Sequence, residues 1–527
     1  VLTDESFNAE NTGFKKLALT VEGSAVRGLE TAQLKITAGD EDSFPTVVYV
    51  DDLSVKGIEN TSVKQTEDEP AVIGLMRTLG INSVLTEDYD PNGTVTRADL
   101  AQVLAGIVND KSADKNPITF SDVYEAHFAY DAIKTVARRG IMNGSGDGKF
   151  EPDAELTYIQ AVAAMVKLAG YTKFAERSGG YPLGYFSIAV RNGIASGSSY
   201  SDIDAPLTQK ELAKLSEKLL KAEYLSIGAV SEGDGDYLIT YQKSDGTTVL
   251  DAFWNIKQDR GILTATDVTN IDGKSTGATN ISVDGETYIY SGSGIHSLTG
   301  YSVDYYYKED KGAVSEVVYA AKSDKNTVKQ MDIGDCGITG STLTYTDENG
   351  KTQKFDIYGS VVIYNGKKIV YEENLISDIK DGNITLIDNN GDGKYDCLGI
   401  TAYEYYVVSM PDTTGKTIDD KFGAPVIKLE EYEKSEITDA KNNAVAAKDI
   451  KKDDVLRVKR LYGDDKDYIE IKVYSKTASG TVESVKRGAN ACVKVDGIWY
   501  DISDWAKALE DGGTISPLML GSAVTLY

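Results

Sequence analysis

The sequence predicts a multidomain α+β protein: a three-repeat helical bundle, then several small all-β domains of the barrel or sandwich kind, with a β segment ahead of the bundle. Three observations predict it. One helix–loop–helix pattern occurs three times between Val72 and Leu219. After Lys221 the chain alternates Tyr and Val with polar residues and turns at Gly, Asp and Asn. Ahead of the repeats, the first 58 residues hold three further alternating runs.

Each repeat has a helix that stops at Gly-Ile, a short loop, and a second helix that opens with Thr. The copies run from Leu75–Ile81 to Thr96–Leu104, from Ile133–Ile141 to Thr157–Met165, and from Ile188–Ile194 to Thr208–Leu215. Repeats of this kind bury their apolar faces on one another. Gly80, Gly140 and Gly193 stand where a helix ends, a place for left-handed backbone. Thr96, Thr157 and Thr208 read as N-caps. Gln160 and Glu211 complete capping boxes, and Asp99 is a shorter version of the same device. Beyond each cap, apolar residues at i, i+3, i+4 spacing (Leu100, Val103, Leu104; Ala161, Ala164, Met165, Leu168; Leu212, Leu215, Leu219) form the stripe of a half-buried helix.

The second copy holds FSDVYEAHFAYDAI (Phe120–Ile133) and GIMNGSGDGKFEPDAELT (Gly140–Thr157). The F-x-D-V opening, the G-x-G-D-G-x-F-x-P loop and a T-R-A-E-like helix start together resemble the S-layer homology (SLH) family, over residues 65–222. The resemblance implies three prongs that dock on secondary cell-wall polysaccharide, often pyruvylated, in the grooves between them. It also implies that the arginine of the T-R-A-E motif reads the acidic sugar. Here that arginine is Arg97, the candidate carbohydrate-binding residue; Tyr158 and Gln209 stand at the matching positions of the other two copies. An Arg at a helix N-terminus opposes the helix dipole, yet it helps hold a carboxylate there.

A chain of 527 residues exceeds a single core. Asp and Glu outnumber Lys and Arg 82 to 55, for a net charge of −27, which repels nucleic-acid phosphates and suits divalent cations. Cys336, Cys397 and Cys492 allow at most one bridge and share no metal-ligand spacing. No run of apolar residues is long enough to predict a transmembrane segment. The start at Val1 and the strand-like alternation at Val524–Tyr527 lead to the expectation of a trimmed portion of a longer exported precursor.

Residues 1–58 form the N-terminal β segment, with strands expected at Phe14–Val21, Ala32–Gly39 and Thr46–Val55. The last run resembles the closing strand of carbohydrate-binding jelly rolls. The three repeats are bounded at 65–110, 118–172 and 181–222. Beyond them the expected β domains span 223–325, 326–410 (with an Asp-rich loop), 411–478 and 479–527. The first and last of these look alike. RGILTATDV, ISVDGETYIY and GYSVDYYY in one correspond to SGTVESVK, VKVDGIWYDI and GSAVTLY in the other, and each has a Val-Asp-Gly hairpin turn. A helical turn is expected at Ser503–Asp511.

DNNGDGKYD (Asp388–Asp396) places oxygen side chains at alternate positions, as the first half of a Ca²⁺ loop does. Its candidate metal ligands are Asp388, Asn390, Asp392, the Lys394 carbonyl and Asp396. Gly399 stands where an EF-hand would need its bidentate Glu, so the pattern reads equally as a Ca²⁺-bound hairpin and as a metal-free turn. Signals for catalysis are poor. There are two histidines, His127 and His296, no nucleophile elbow, no phosphate-cradling loop and only three tryptophans.

The expected function is that of a non-enzymatic, exported cell-surface structural protein: an S-layer or surface-assembly subunit in the cell wall. Its expected partners are secondary cell-wall polysaccharide and copies of itself in an array or filament, with Ca²⁺ as the candidate cofactor. The alternatives are a wall-anchored glycan-binding protein or adhesin, and the non-catalytic part of an anchored hydrolase.

Overall fold

The computed structural model describes residues 69–110, 119–197 and 203–526, apart from 234–235, 274–275, 278, 291, 293, 311, 348–349, 373–374, 378, 463–466 and 488–490. The three strands expected before residue 58 lie outside the described residues. By its contacts the chain divides into two units, Val1–Glu59 and Asn60–Tyr527. Every element below belongs to the second. Helices come first and strands follow.

The helical part holds α1 (Ala71–Thr78), α2 (Val84–Glu87), α3 (Arg97–Val108), α4 (Tyr130–Arg138), α5 (Tyr158–Leu168), α6 (Thr172–Arg177), α7 (Leu183–Arg191) and α8 (Gln209–Lys221). Three of them stop as the glycines require. Gly80, Gly140 and Gly193 have φ of 70°, 65° and 75°. The next amides, of Ile81, Ile141 and Ile194, bond back to the carbonyls of Met76, Val136 and Ala189 at 2.8–2.9 Å. Each isoleucine is buried on the turn it closes. The capping boxes are all formed: Thr96 N donates to Asp99 (2.8 Å), Thr157 N to Gln160 (3.1 Å) and Thr208 N to Glu211 (3.0 Å). Asp99 reaches as well as the longer residues do.

The first amides of each of these long helices lack intrahelical acceptors. They find them in a different repeat. Arg97 and Ala98 donate to the carbonyls of Ala154 and Pro152, in the second loop. Tyr158 and Ile159 donate to Ala205 and Ile203, in the third, while Gln209 and Lys210 return to Gly93 and Pro91, in the first. The three loops and three helix starts thus close a ring of hydrogen bonds.

From α8 the chain enters an antiparallel ribbon, β1 (Glu223–Gly233) and β2 (Asp236–Thr248). It leads into α9 (Val249–Trp254), where Trp254 Nε1 donates to the Ile107 carbonyl at 2.9 Å. Strands β3 (Lys257–Ala265), β4 (Asn280–Val283), β5 (Glu286–Tyr290), β6 (Ser302–Lys308) and β7 (Glu316–Lys322) form a closed sheet in the order β3-β4-β5-β7-β6. Leu263, Ile281, Val283, Val303, Tyr305 and Val317 fill it. Its β6 also supplies Tyr306 to the helical core. Gly74 lets α1 approach this sheet: a Cβ there would stand 2.2 Å from the Tyr319 hydroxyl.

Next come β8 (Thr327–Asp332), β9 (Cys336–Thr339), β10 (Thr342–Thr346), β11 (Thr352–Asp356), β12 (Val361–Tyr364), β13 (Lys367–Ile369), β14 (Gly382–Asp388) and β15 (Cys397–Ala402). They form sheets ordered β13-β12-β15-β14-β8 and β11-β10-β9 around Leu343, Ile384, Leu386 and Leu398. A further core is built by β16 (Glu404–Val407), the short pair β17 (Thr417–Ile418) and β18 (Ile427–Lys428), β19 (Lys434–Asp439), β20 (Val455–Leu461) and β21 (Tyr468–Tyr474). Its main sheet runs β16-β20-β21-β19. The last sheet, β24-β23-β22-β25, is made by β22 (Ala478–Lys486), β23 (Cys492–Val495), β24 (Ile498–Asp501) and β25 (Ala523–Leu526). Helix α10 (Asp504–Asp511) falls where the helical turn was expected.

Both Val-Asp-Gly sequences are two-residue hairpin turns. Asp284 and Gly285 have φ of 50° and 81°, and Asp496 and Gly497 have 46° and 82°. Positive φ at both positions is the type I′ geometry that suits strand twist. Cys336, Cys397 and Cys492 are free thiols. Among the described residues, no helix is long and apolar enough to cross a membrane.

Candidate functional site

Arg97 is the first residue of α3, so its side chain starts beside the loop that caps that helix. Its Nε donates to the Phe150 carbonyl and its Nη2 to the Asn143 carbonyl, both at 2.8 Å. The guanidinium also lies 4.7 Å from the centre of the Phe150 ring. Burial lowers its pKa, partly offset by Glu151 and Asp122, and it stays a cation at neutral pH.

The F-x-D-V motif holds this loop in place. Phe120 packs on Phe150 with ring centres 5.3 Å apart, and Phe150 is fully buried. Asp122 accepts the amides of Phe150 (2.9 Å) and Glu151 (2.7 Å). Burial alone would raise the pKa of Asp122; the two amides outweigh it and bring it below the usual carboxylate range. Between these anchors Gly146, Asp147 and Gly148 take positive φ, as the G-D-G sequence permits.

Arg97 opens onto a cavity of about 260 Å³, lined chiefly by Asn143, Gln160, Lys167, Tyr181 and Tyr185 around a floor that includes Ala163 and Ala164. Residues of all three repeats meet there. Lys167 stands two helical turns beyond Gln160, on the same face of α5. Burial lowers its pKa, partly countered by Glu176, and its ammonium lies 6.0 Å from the Tyr185 ring centre. Tyr181 and Tyr185 meet edge to face at 6.4 Å, and Tyr181 is 56% exposed. Among the described residues, two cations and no carboxylate line this cavity. Such a surface suits a ligand that carries acidic groups on a ring able to stack on tyrosine.

The sequence pointed to Arg97 and missed Lys167, Tyr181 and Tyr185. Lys167 had a signal, being seven residues from the capping Gln160 on a helix with an otherwise apolar stripe. The two tyrosines had none, because a loop and α7 bring them in. The residues matching Arg97 are spent on packing. Tyr158 is buried, and Gln209, also buried, accepts the Asp90 amide at 3.0 Å.

The five candidate metal ligands lie along the Asp388–Asp396 loop, and four of their side chains accept the loop's own amides. Asp388 accepts from Asn390 (3.1 Å), Gly391 (2.7 Å) and Gly393 (2.9 Å). Asn390 accepts from Asp392, Asp392 from Lys394 and Asp396 from Asn389, each at 2.8 Å. Burial would raise the pKa of Asp388, but the amides of Gly393, Gly391 and Asn390 bring it down. Neighbouring Asn389 ties the loop to the barrel, donating to the Gly300 carbonyl and accepting the Ser302 amide at 3.1 Å. Among the described residues, no group of three or more His, Cys, Asp or Glu is placed to hold a metal.

His127 Nδ1 accepts the Ala129 amide at 3.1 Å. His296 Nε2 meets Glu470 at 2.8 Å, and Lys459 reaches the other oxygen of that carboxylate at 2.7 Å. Burial would raise the pKa of Glu470; His296 and Lys459 hold it down at about 2.

These features define a helical module with a cationic, tyrosine-walled groove, followed by β sheets. Comparison with known families is in accord: residues 119–162 match the family model of the S-layer homology domain, so the chain carries that domain. The chain is 24% identical over 347 residues to a "Cell surface protein" of Thermoanaerobacter kivui, covering 64% of this chain and 42% of that one. To the "Middle cell wall protein" of Brevibacillus brevis it is 22% identical over 421 residues, 73% of this chain and 39% of the relative. A "Cellulosome-anchoring protein" of Acetivibrio thermocellus is 34% identical over 82 residues, 15% of this chain and 18% of its own length. The chain spans about two fifths of the length of the first two relatives.

Proposed function

We propose that this chain is a non-enzymatic, exported structural protein of the bacterial cell wall, an S-layer or surface-assembly subunit. Its helical repeats are three SLH repeats in one bundle, anchoring it to secondary cell-wall polysaccharide. The closed ring of loop-to-helix hydrogen bonds supports the bundle. The relatives' names, all of surface, wall or anchoring proteins, support the location. The observation that carries the anchor is the groove itself: among the described residues, Arg97 and Lys167 face it without a carboxylate, on a chain of net charge −27. A protein so acidic has no general attraction for an anionic polymer, so a local cationic site is what such binding requires.

The division of the β region into domains at 223–325, 326–410, 411–478 and 479–527 forms part of this proposal, as does assembly of copies into an array or filament. Ca²⁺ at Asp388–Asp396 is a separate proposal that rests on the oxygen pattern of the sequence. It requires Asp388 and Asp396 to exchange backbone amides for the cation.

Retention on purified cell walls tests the anchor. Wild type is expected to sediment with walls and to be released by salt. Arg97→Ala and Lys167→Gln are each expected to stay largely in solution. Arg97 also braces two loop carbonyls, so Lys167→Gln is the cleaner variant. Equal retention of Lys167→Gln and wild type would show that the groove is not the anchor.

A further inference from the structure

The sheet β16-β20-β21-β19 turns one face to its own core and the other away from it. Alternation along the strands sorts the two: Tyr406, Leu456, Val458, Ile469, Ile471 and Val473 are buried on the core side. On the opposite face the register sets cross-strand rows. Leu461 stands beside Tyr468, and Lys459 beside Glu470. Tyr405, Arg457, Lys472 and Thr438 share the following row, and Val455 stands beside Tyr474 in the one after.

The barrel covers the first two of these rows. Tyr468 and Leu461 are buried against Val268, the His296 ring meets Tyr468 edge to face at 5.4 Å, and His296 Nε2 holds Glu470. Beyond Glu470 the face opens, and Tyr405, Arg457, Lys472 and Tyr474 are half-exposed. The Arg457 guanidinium lies over Tyr403, 4.3 Å from the ring centre. Burial lowers its pKa, but Tyr403, Tyr474, Tyr405 and Asp381 are close enough to outweigh that, and the net shift is upward. Two carboxylates near the row are already engaged. Asp381 accepts the Tyr405 hydroxyl, and Glu470 is shared by His296 and Lys459. Among the described residues, no carboxylate forms an ion pair with Arg457 or Lys472.

We propose that this open half of the sheet binds a carboxylate-bearing polysaccharide. Arg457 and Lys472, one strand spacing or about 5 Å apart along the row, meet acids on successive sugar units. Tyr405 and Tyr474 lie against the sugar rings. The charges select an anionic chain, since two cations without acidic partners stand on a protein of net charge −27. A guanidinium offers the paired N–H groups that a planar carboxylate accepts. The tyrosines around it favour rings over a phosphate backbone or an acidic peptide. This site is separate from the Arg97 groove and does not rest on it.

The test is calorimetric titration of polygalacturonate, at low and at physiological salt, into the 527-residue chain carrying Lys167→Gln, which weakens the Arg97 groove. Dextran serves as a polymer with rings and no charge, and polyglycerol phosphate as an anionic polymer without rings. The expected result is salt-sensitive binding of polygalacturonate, at least about tenfold tighter than of either control. Adding Arg457→Gln or Lys472→Gln is expected to weaken it about tenfold. Lys472 has no ion-pair partner among the described residues, so its variant is expected to melt with its parent and reads binding even where Arg457→Gln disturbs the fold. No binding of polygalacturonate overturns the proposal, as does equal binding by the Lys472→Gln protein. Polyglycerol phosphate bound as tightly overturns the assignment to a sugar acid. Self-association that Arg457→Gln abolishes gives the face to a second copy and overturns it too.

Discussion

Asp122→Ala is expected to damage the fold and the groove together. The Asp122 carboxylate accepts two amides, from Phe150 at 2.9 Å and Glu151 at 2.7 Å, and so pins the loop whose carbonyls hold Arg97 and cap α3. A hydrogen bond to a charged group contributes about 1.5–3 kcal/mol, and water can take over part of this half-exposed pair, so a loss of about 2–3 kcal/mol is expected. At about 2–4 °C per kcal/mol for a part of this size, the helical transition should fall by about 4–12 °C. Circular dichroism at 222 nm during heating, a wavelength dominated by helix, reads it. The pH dependence has a definite sign. The pKa of Asp122 is depressed in the folded state, so its contribution is fully present above the unfolded value of about 3.9 and is lost as pH falls through the folded one. Wild type and variant should therefore differ by a constant amount at neutral pH and converge in acid. A variant that melts with wild type at pH 7 and binds wall polymer equally well would refute the reasoning.

Three further expectations follow from single contacts. Tyr181→Ala removes a side chain that is 56% exposed in the groove, so it should weaken polysaccharide binding severalfold in a titration while moving the melting temperature little. Gly261→Ala and Gly480→Ala each push a Cβ against the turn aspartate and should destabilise their own sheets by about 1–3 kcal/mol, read by denaturant unfolding. For the Asp388–Asp396 loop, calorimetric titration with Ca²⁺ is expected to show one site that Asp388→Ala removes. Heat unaffected by that variant would exclude the loop.

Much of the helical part was legible because its signals are local. Capping boxes at Thr96, Thr157 and Thr208, the glycine stops and both Val-Asp-Gly turns each depend on residues within a few positions. The ring of loop-to-helix bonds was not legible, since Tyr158 and Ala205 are distant in sequence and their amide and carbonyl carry no residue type. The groove was half legible for the same reason. Arg97 sits in a motif, whereas Tyr181 and Tyr185 reach it only through packing of the third repeat. The Asp388–Asp396 pattern shows the opposite limit, because alternate oxygens serve a cation and a chain of amide-accepting turns equally well.

In the proposed anchor, Arg97 and Lys167 together hold an anionic wall glycan. Its most direct test is isothermal titration of purified secondary cell-wall polysaccharide into wild type and into the double variant Arg97→Gln, Lys167→Gln, with the unfolding of both followed in parallel. Wild type is expected to bind in a salt-sensitive manner, and the folded double variant to lose at least about tenfold in affinity, or about 1.4 kcal/mol. Equal affinity in the two folded proteins would contradict it.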